Sequence, residues 1–319
     1  MKNFLIVRVI VAAAAGVAGL MATAHAQPVD AARNTPESVT VSGQKMPEYV
    51  IKEFVKSHAG AAPALGRMAK WVRPICPVTT GLTPAMNKLV NDRVRAVAVM
   101  VEAPVAEKIP CAANIDIVFT QKPQILLDRV RREHPALLGY HQLSQSEDAA
   151  KVRYPIQAWY TTETVDFNRT HQVDDPQANN GVDLYLGPNP ACLKGCILRM
   201  PYARKMQVSG GRITDSLRSE FYHVMVVIDL DKIGGLELGA LADDAASLAL
   251  AQPQAFDACL SPASITNLMT PGCADKPKTL TTMDLAFLRA VYKLDTGKVF
   301  ASQRSEIAYQ MNKTLGAEN

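Results

Sequence analysis

The chain has 319 residues, of which 48% are hydrophobic, with 34 Lys and Arg against 30 Asp and Glu. That length suits one large domain or two small ones. The net charge of +4 is too small to create the field that nucleic acid or an anionic membrane surface requires. The basic clusters Arg93/Arg95 and Arg129/Arg131/Arg132 lie on helical patterns as solvated faces, so no nucleic-acid partner is expected.

Residues 1–26 read as an export signal. Lys2 and Arg8 precede an apolar run from Val9 to Met21, and Ala24-His25-Ala26 is a small-x-small cleavage site. The run is too short for a stable membrane span. The expected location is therefore periplasmic or secreted, with no span left after cleavage. Residues 27–45 are polar and expected to be mobile, with a frayed strand at Ser38–Gly43. Residues 46–319 are expected to form a single disulfide-stabilised α+β domain.

Helical spacing runs from Met46 to His58 and stops at Gly60. A longer helix spans Thr83 to Val101, with Thr83 as cap, Pro84 in the first turn, and Met86, Leu89, Val90, Val94, Val97 and Val101 as its apolar face. Asn114–Thr120 alternates as a strand, and a helix from Pro123 to about His134 follows, making a β–α unit. Pro155–Val165 is a second strand. Asp166 to Pro190 is rich in Asn, Asp, Gly and Pro and reads as a long surface loop. Its Asp174, Asp175, Asn179, Asn180 and Asp183 lack the spacing of a calcium loop. Phe221–Leu230 is a strongly apolar strand, leading through Gly234-Gly235 to a helix from Leu236 to Ala251. Helices at Thr281–Tyr292 and Ser302–Leu315 complete the chain.

All six cysteines, Cys76, Cys111, Cys192, Cys196, Cys259 and Cys273, lie beyond the leader. An even count in an exported chain points to disulfides rather than thiol chemistry. Of the 15 connectivities open to six cysteines, neighbour pairing is the expected one. Cys192–Cys196 and Cys259–Cys273 would close short loops, and Cys76–Cys111 would tie the first long helix to the following strand. Cys192-Leu-Lys-Gly-Cys196 has no further metal ligands nearby.

The order of strand, core helix, loop and short helix between Phe221 and Tyr292 resembles the C-terminal half of the zincin metallopeptidases, in particular the matrixin-related members. Ser264-Ile265, with Met269 shortly after, stands where their Ser-Ile-Met turn falls. Leu280-Thr281 and Asp284 lead to Leu288 and Tyr292, an Asp-to-Tyr interval of eight residues. Thr281 and Asp284 also read as a capping box in their own right. Zincins hold zinc with two His four residues apart on a helix, with an adjacent Glu as base. With Leu248-Ala249-Leu250 aligned to their Leu-Gly-Leu, the two helix ligand positions fall on Ala242 and Ala246. The Glu position falls on Asp243 and the third His position on Gln252. Alanine offers no donor atom, so no zinc is expected at this helix, and no other metal and no cofactor is expected in the chain. The resemblance implies a scaffold without its peptidase chemistry.

The leading expectation is accordingly an exported, non-catalytic zincin-like module. It would bind a peptide or an envelope partner in a cleft beside Ala242, Asp243 and Ala246, with Asp243 as the site residue. The alternatives are a metal-independent periplasmic hydrolase assembled from loops, involving His171, Asp174 or His223, and a structural envelope protein. No Gly-x-Ser-x-Gly elbow, P-loop or dinucleotide fingerprint occurs. The expected fold is α+β, a mixed sheet packed with helices.

Overall fold

The computed structural model describes residues 46–140, 142–174, 182–186, 196–200, 206, 216–254, 259–268, 270 and 272–317. These belong to a unit spanning Gly43–Asn319. Its centre is a five-stranded mixed sheet in the order β1-β2-β7-β3-β4, formed by β1 (Pro77–Thr80), β2 (Ile115–Thr120), β7 (Arg218–Asp229), β3 (Ile156–Val165) and β4 (His171–Val173). β1, β2 and β7 are parallel, whereas β3 runs antiparallel to both β7 and β4. This is an α+β architecture, as the sequence leads one to expect.

β7 is the strand on which the sheet is built, because residues Val224 to Asp229 are buried on both faces. Val224, Val226 and Ile228 join the main core, in which Val90, Val94 and Val97 of α2 (Pro84–Met100), α5 (Leu238–Leu250) and α6 (Thr282–Lys293) also pack. Met225 and Val227 face the opposite way, onto a smaller core with Trp159 and with Leu127 and Val130 of α3 (Pro123–Glu133). A register irregularity at Thr161/Thr162 leaves Tyr222 without a partner on β3 and shifts the pairing beyond it.

α2 begins as its sequence requires: Thr83 Oγ1 accepts from the Met86 amide at 3.4 Å, and Pro84 occupies the first turn. Its buried stripe is narrower than the apolar pattern, since Met86 and Leu89 are exposed. The turn into α2 needs Gly81, whose φ is +95° and where a Cβ would stand 1.9 Å from Phe119 O. α1 (Glu48–His58) buries Ile51, Phe54, Val55 and His58, so the stripe sits one residue round from Met46/Val50/Phe54. α7 (Phe300–Ala317) packs against α1 and α6.

Cys76–Cys111 and Cys259–Cys273 are disulfides, as neighbour pairing predicts. Cys76–Cys111 joins the chain entering β1 to the segment before β2, rather than a helix to a strand. Cys192, His141 and Met269 lie outside the described residues, as does the strand expected at 38–43. The segment 166–190 is not loop throughout. It contains β4 and also β5 (Val182–Leu186), which pairs antiparallel with β6 (Cys196–Met200). Strands of three to five residues among Asn, Asp and Gly leave no period long enough to read, and only pairing with a neighbour defines them. α4 (Ser146–Ala149), of four residues, is likewise too short for a helical period to show.

Candidate functional site

The sequence places its site on α5, and the structure closes that helix into the core. Every residue from Ala240 to Leu250 is buried, including Ala242 and Ala246. The helix has few polar groups of its own, so neighbours satisfy its C-terminal carbonyls. The Ala251 amide donates to Ser247 O and the Tyr160 hydroxyl to Leu248 O. Trp71 Nε1 donates to Ala249 O and the Tyr292 hydroxyl to Leu250 O. Tyr292 thus ends α6 by anchoring α5.

Asp243 is only 1% exposed. Arg93 of α2 engages both carboxylate oxygens, through Nε to Oδ1 and through Nη2 to Oδ2 at 2.9 Å. The Leu280 amide donates to Oδ2 at 3.1 Å. A carboxylate held this way fastens α5 to α2 and to the start of α6, and it presents no open face to a ligand. Gln252, at the third ligand position, is half-buried just beyond the helix. For its neighbour Asp244, burial comes first and the nearby Asp284 and Asp243 second in pushing the carboxyl well above the usual carboxylate range.

Three distant segments meet at Ser264. Its hydroxyl donates to Asp284 Oδ1 at 2.5 Å, and His58 Nε2 lies 2.9 Å from Ser264 Oγ. Asp284 Oδ2 accepts from the amides of Ile265 and Thr281 and from the Thr281 hydroxyl, each at 2.9 Å. Thr281 and Asp284 complete the capping box of α6. Ser, His and Asp are present, but in the wrong relation for nucleophilic catalysis. The acid binds the serine, the second histidine nitrogen faces Phe54 O at 2.9 Å, and all three residues are buried. A working triad needs the acid on the histidine and the serine open to substrate.

His58 stacks on Phe54 with ring centroids 3.8 Å apart, and burial lowers its pKa against the opposing pull of Asp284. A histidine with a depressed folded pKa contributes stability that is complete above its unfolded value of about 6.5 and is lost as pH falls toward the folded one. Comparison with His58→Phe isolates this contribution from that of Asp244, which has the opposite sign. The stability of the unaltered chain relative to the variant should rise by up to about 1.4 kcal/mol per pH unit between pH 5 and 6.5. Urea unfolding across that range measures it, and parallel curves would remove His58 as the titrating group.

The polar cleft lies elsewhere, at the end of the sheet where β3, β4 and β7 meet. Glu163 on β3 stands directly opposite Glu220 on β7, and Val165 opposite His171 on β4. With a side-chain period of two, Glu163, His171 and Glu220 share one face. Arg73 Nη2 binds Glu163 Oε2 at 2.7 Å. His171 Nδ1 stands 3.3 Å from Glu163 Oε1 without the alignment of a hydrogen bond. Burial, and then the charge of Glu163, raise the pKa of Glu220. Beside them opens a cavity of about 580 Å³, lined by Asp166, Arg169, His171, Arg218, Glu220 and Asp295 among others.

Only His171 of the residues expected to form a loop-built hydrolase reaches this cavity. Asp174 turns to the other face, where its carboxylate accepts from the hydroxyls of Thr162 and Thr164, each at 2.7 Å. His223 pairs with Asp116 at 3.1 Å across the β2–β7 ladder. Glu163 and Glu220 escaped the sequence reading because their proximity is a matter of strand register. No protein-family model, curated protein or solved structure matches this chain, so its function rests on the geometry above.

Proposed function

We propose that this chain is an exported module on a zincin-like scaffold that performs no zinc peptidase chemistry and instead binds a peptide or an envelope partner. The observation that carries the proposal is the state of α5: alanines at both helix ligand positions, each fully buried, and the acid between them locked by Arg93. Two further features support the scaffold. β7, α5, the turn at Ile265–Leu268 and α6 follow one another in the expected order. Asp284 also ties the start of α6 to the Ser264-Ile265 turn. Export accords with the two disulfides, and no helix among the described residues is long and apolar enough to cross a membrane.

The ligand is assigned to the sheet-end cavity rather than to the α5 face, which is closed. Arg169 and Arg218 stand there with Asp166 and Asp295 around Val165 and Phe167. Cations, acids and apolar surface in one concavity suit a short peptide bearing both charges. The purified oxidised chain, incubated with zinc and a mixed peptide library, should yield no new cleavage products by mass spectrometry. Peptides it retains should bind at least about tenfold more weakly to Arg218→Glu. Zinc-dependent cleavage, or retention unaffected by Arg218→Glu, would refute the proposal.

A further inference from the structure

We infer that Glu163, His171 and Glu220 form a binding site for one divalent transition-metal cation of the zinc type at the wall of the sheet-end cavity. One ligand atom from each residue lies within 4.8 Å of the others, and Glu163 Oε1 and His171 Nδ1 are already 3.3 Å apart. Donors held about 2.1 Å from a tetrahedral ion stand about 3.4 Å from one another. Closure onto a cation therefore requires side-chain movements of only about 1 Å.

An independent observation points to the ligand. Glu163 Oε1 and Glu220 Oε2 have no hydrogen-bond partner among the described residues, although Glu163 is 0% and Glu220 5% exposed. Carboxylates placed directly opposite on neighbouring strands repel, and a buried carboxylate oxygen without a partner is costly. Arg73 relieves only the other oxygen of Glu163, on the side away from His171. A dication between the three residues satisfies both orphaned oxygens and balances the pair. Arg73 then becomes the outer partner that orients Glu163. One imidazole and two carboxylates make a nitrogen–oxygen set for a borderline metal, short of the six to eight oxygens that calcium takes. The cavity leaves room for water in a remaining position.

This site is separate from α5, so metal here restores no peptidase arrangement, and it revises the expectation that the chain holds none. It also stands whether or not a peptide is the ligand, because it is tested on peptide-free protein. Isothermal titration of the chelated, oxidised chain with zinc chloride, with magnesium chloride as control, should show one zinc site per chain and no comparable magnesium site. Glu220→Gln and His171→Ala should each weaken zinc binding by at least about tenfold and abolish the zinc-dependent rise in melting temperature. Glu220→Gln should also melt no lower than the unaltered chain without metal, since it removes the like-charge pair. His171 is exposed on a short edge strand, so His171→Ala stays informative if the Glu220 variant folds poorly. Absence of zinc binding, or binding of equal strength in both variants, overturns the inference.

Discussion

Asp284→Ala should lower the stability of the chain by about 3–5 kcal/mol in urea unfolding at pH 7, among the largest effects of any single substitution. Asp284 is buried, and its two oxygens accept from the Ser264 hydroxyl, the Ile265 and Thr281 amides and the Thr281 hydroxyl. Alanine removes all of these acceptors at once and leaves the buried Ile265 amide and the half-buried Thr281 amide with no replacement. Such amides cost about 1–3 kcal/mol each when left unmade, and loss of the capping box adds about 1 kcal/mol. The damage falls where three segments meet, so α6, the 265–268 turn and α1 should loosen together.

Asp284→Asn separates shape from charge at the same position. Its remaining oxygen can serve the Ile265 and Thr281 amides, and its NH₂ can donate to Ser264 Oγ. The Ser264 proton is then free to turn toward His58 Nε2, which lies 2.9 Å away. The cost should fall to about 1–2 kcal/mol. An alanine variant within about 1 kcal/mol of the unaltered chain would mean that water replaces the carboxylate and that the network does not hold the turn.

Arg93→Met should cost about 3–5 kcal/mol, the amount expected when a buried charge loses its partner. Asp243 remains behind with the Leu280 amide alone, in a helix whose other residues from Ala240 to Leu250 are also buried. Adding Asp243→Asn should recover most of the loss, because the amide side chain still accepts from Leu280 N and carries no charge to strand. A double-mutant cycle by thermal or urea unfolding gives the coupling, expected to exceed about 2 kcal/mol. Arg93 is itself 36% exposed, so water has a route to the pair. A single variant costing under about 1 kcal/mol would show that this route suffices and that the pair is not what fastens α5 to α2.

The two experiments bear on function as well as on stability. In a zinc peptidase the acid next to the first ligand must face metal-bound water. Here Asp243 faces a guanidinium, and Ala242 and Ala246 carry methyl groups buried in the core. That face of α5 is a packing surface. Among the described residues, the unpartnered buried oxygens of Glu163, Ser219 and Glu220 lie at the far end of β3 and β7.

What the sequence determined by itself were features whose cause is local. Thr83-Pro84 and the Thr281/Asp284 capping box set the starts of α2 and α6, because a cap and its amide are three residues apart. Cys259–Cys273 closes a short loop visible along the chain, Cys76–Cys111 with its separation of 35 residues was the remaining neighbour pair, and β7 is an apolar run of strand length bounded by a turn. That Ala242 and Ala246 carry no donor atom was equally plain, since it depends on residue type alone.

Tertiary structure decided everything that required two distant segments to meet. Asp243 reads as a cleft acid until Arg93, 150 residues away, closes on it. His58 reads only as the last residue of a helix until Ser264 reaches it across a separation of 206 residues. Glu163 and Glu220 face one another only because β3 pairs with β7 in one register, past an irregularity at Thr161/Thr162. A slip of a single residue would send either side chain to the opposite face. Register is set by the burial of whole strands, a property of the assembled core that no local pattern around Glu163 or Glu220 contains.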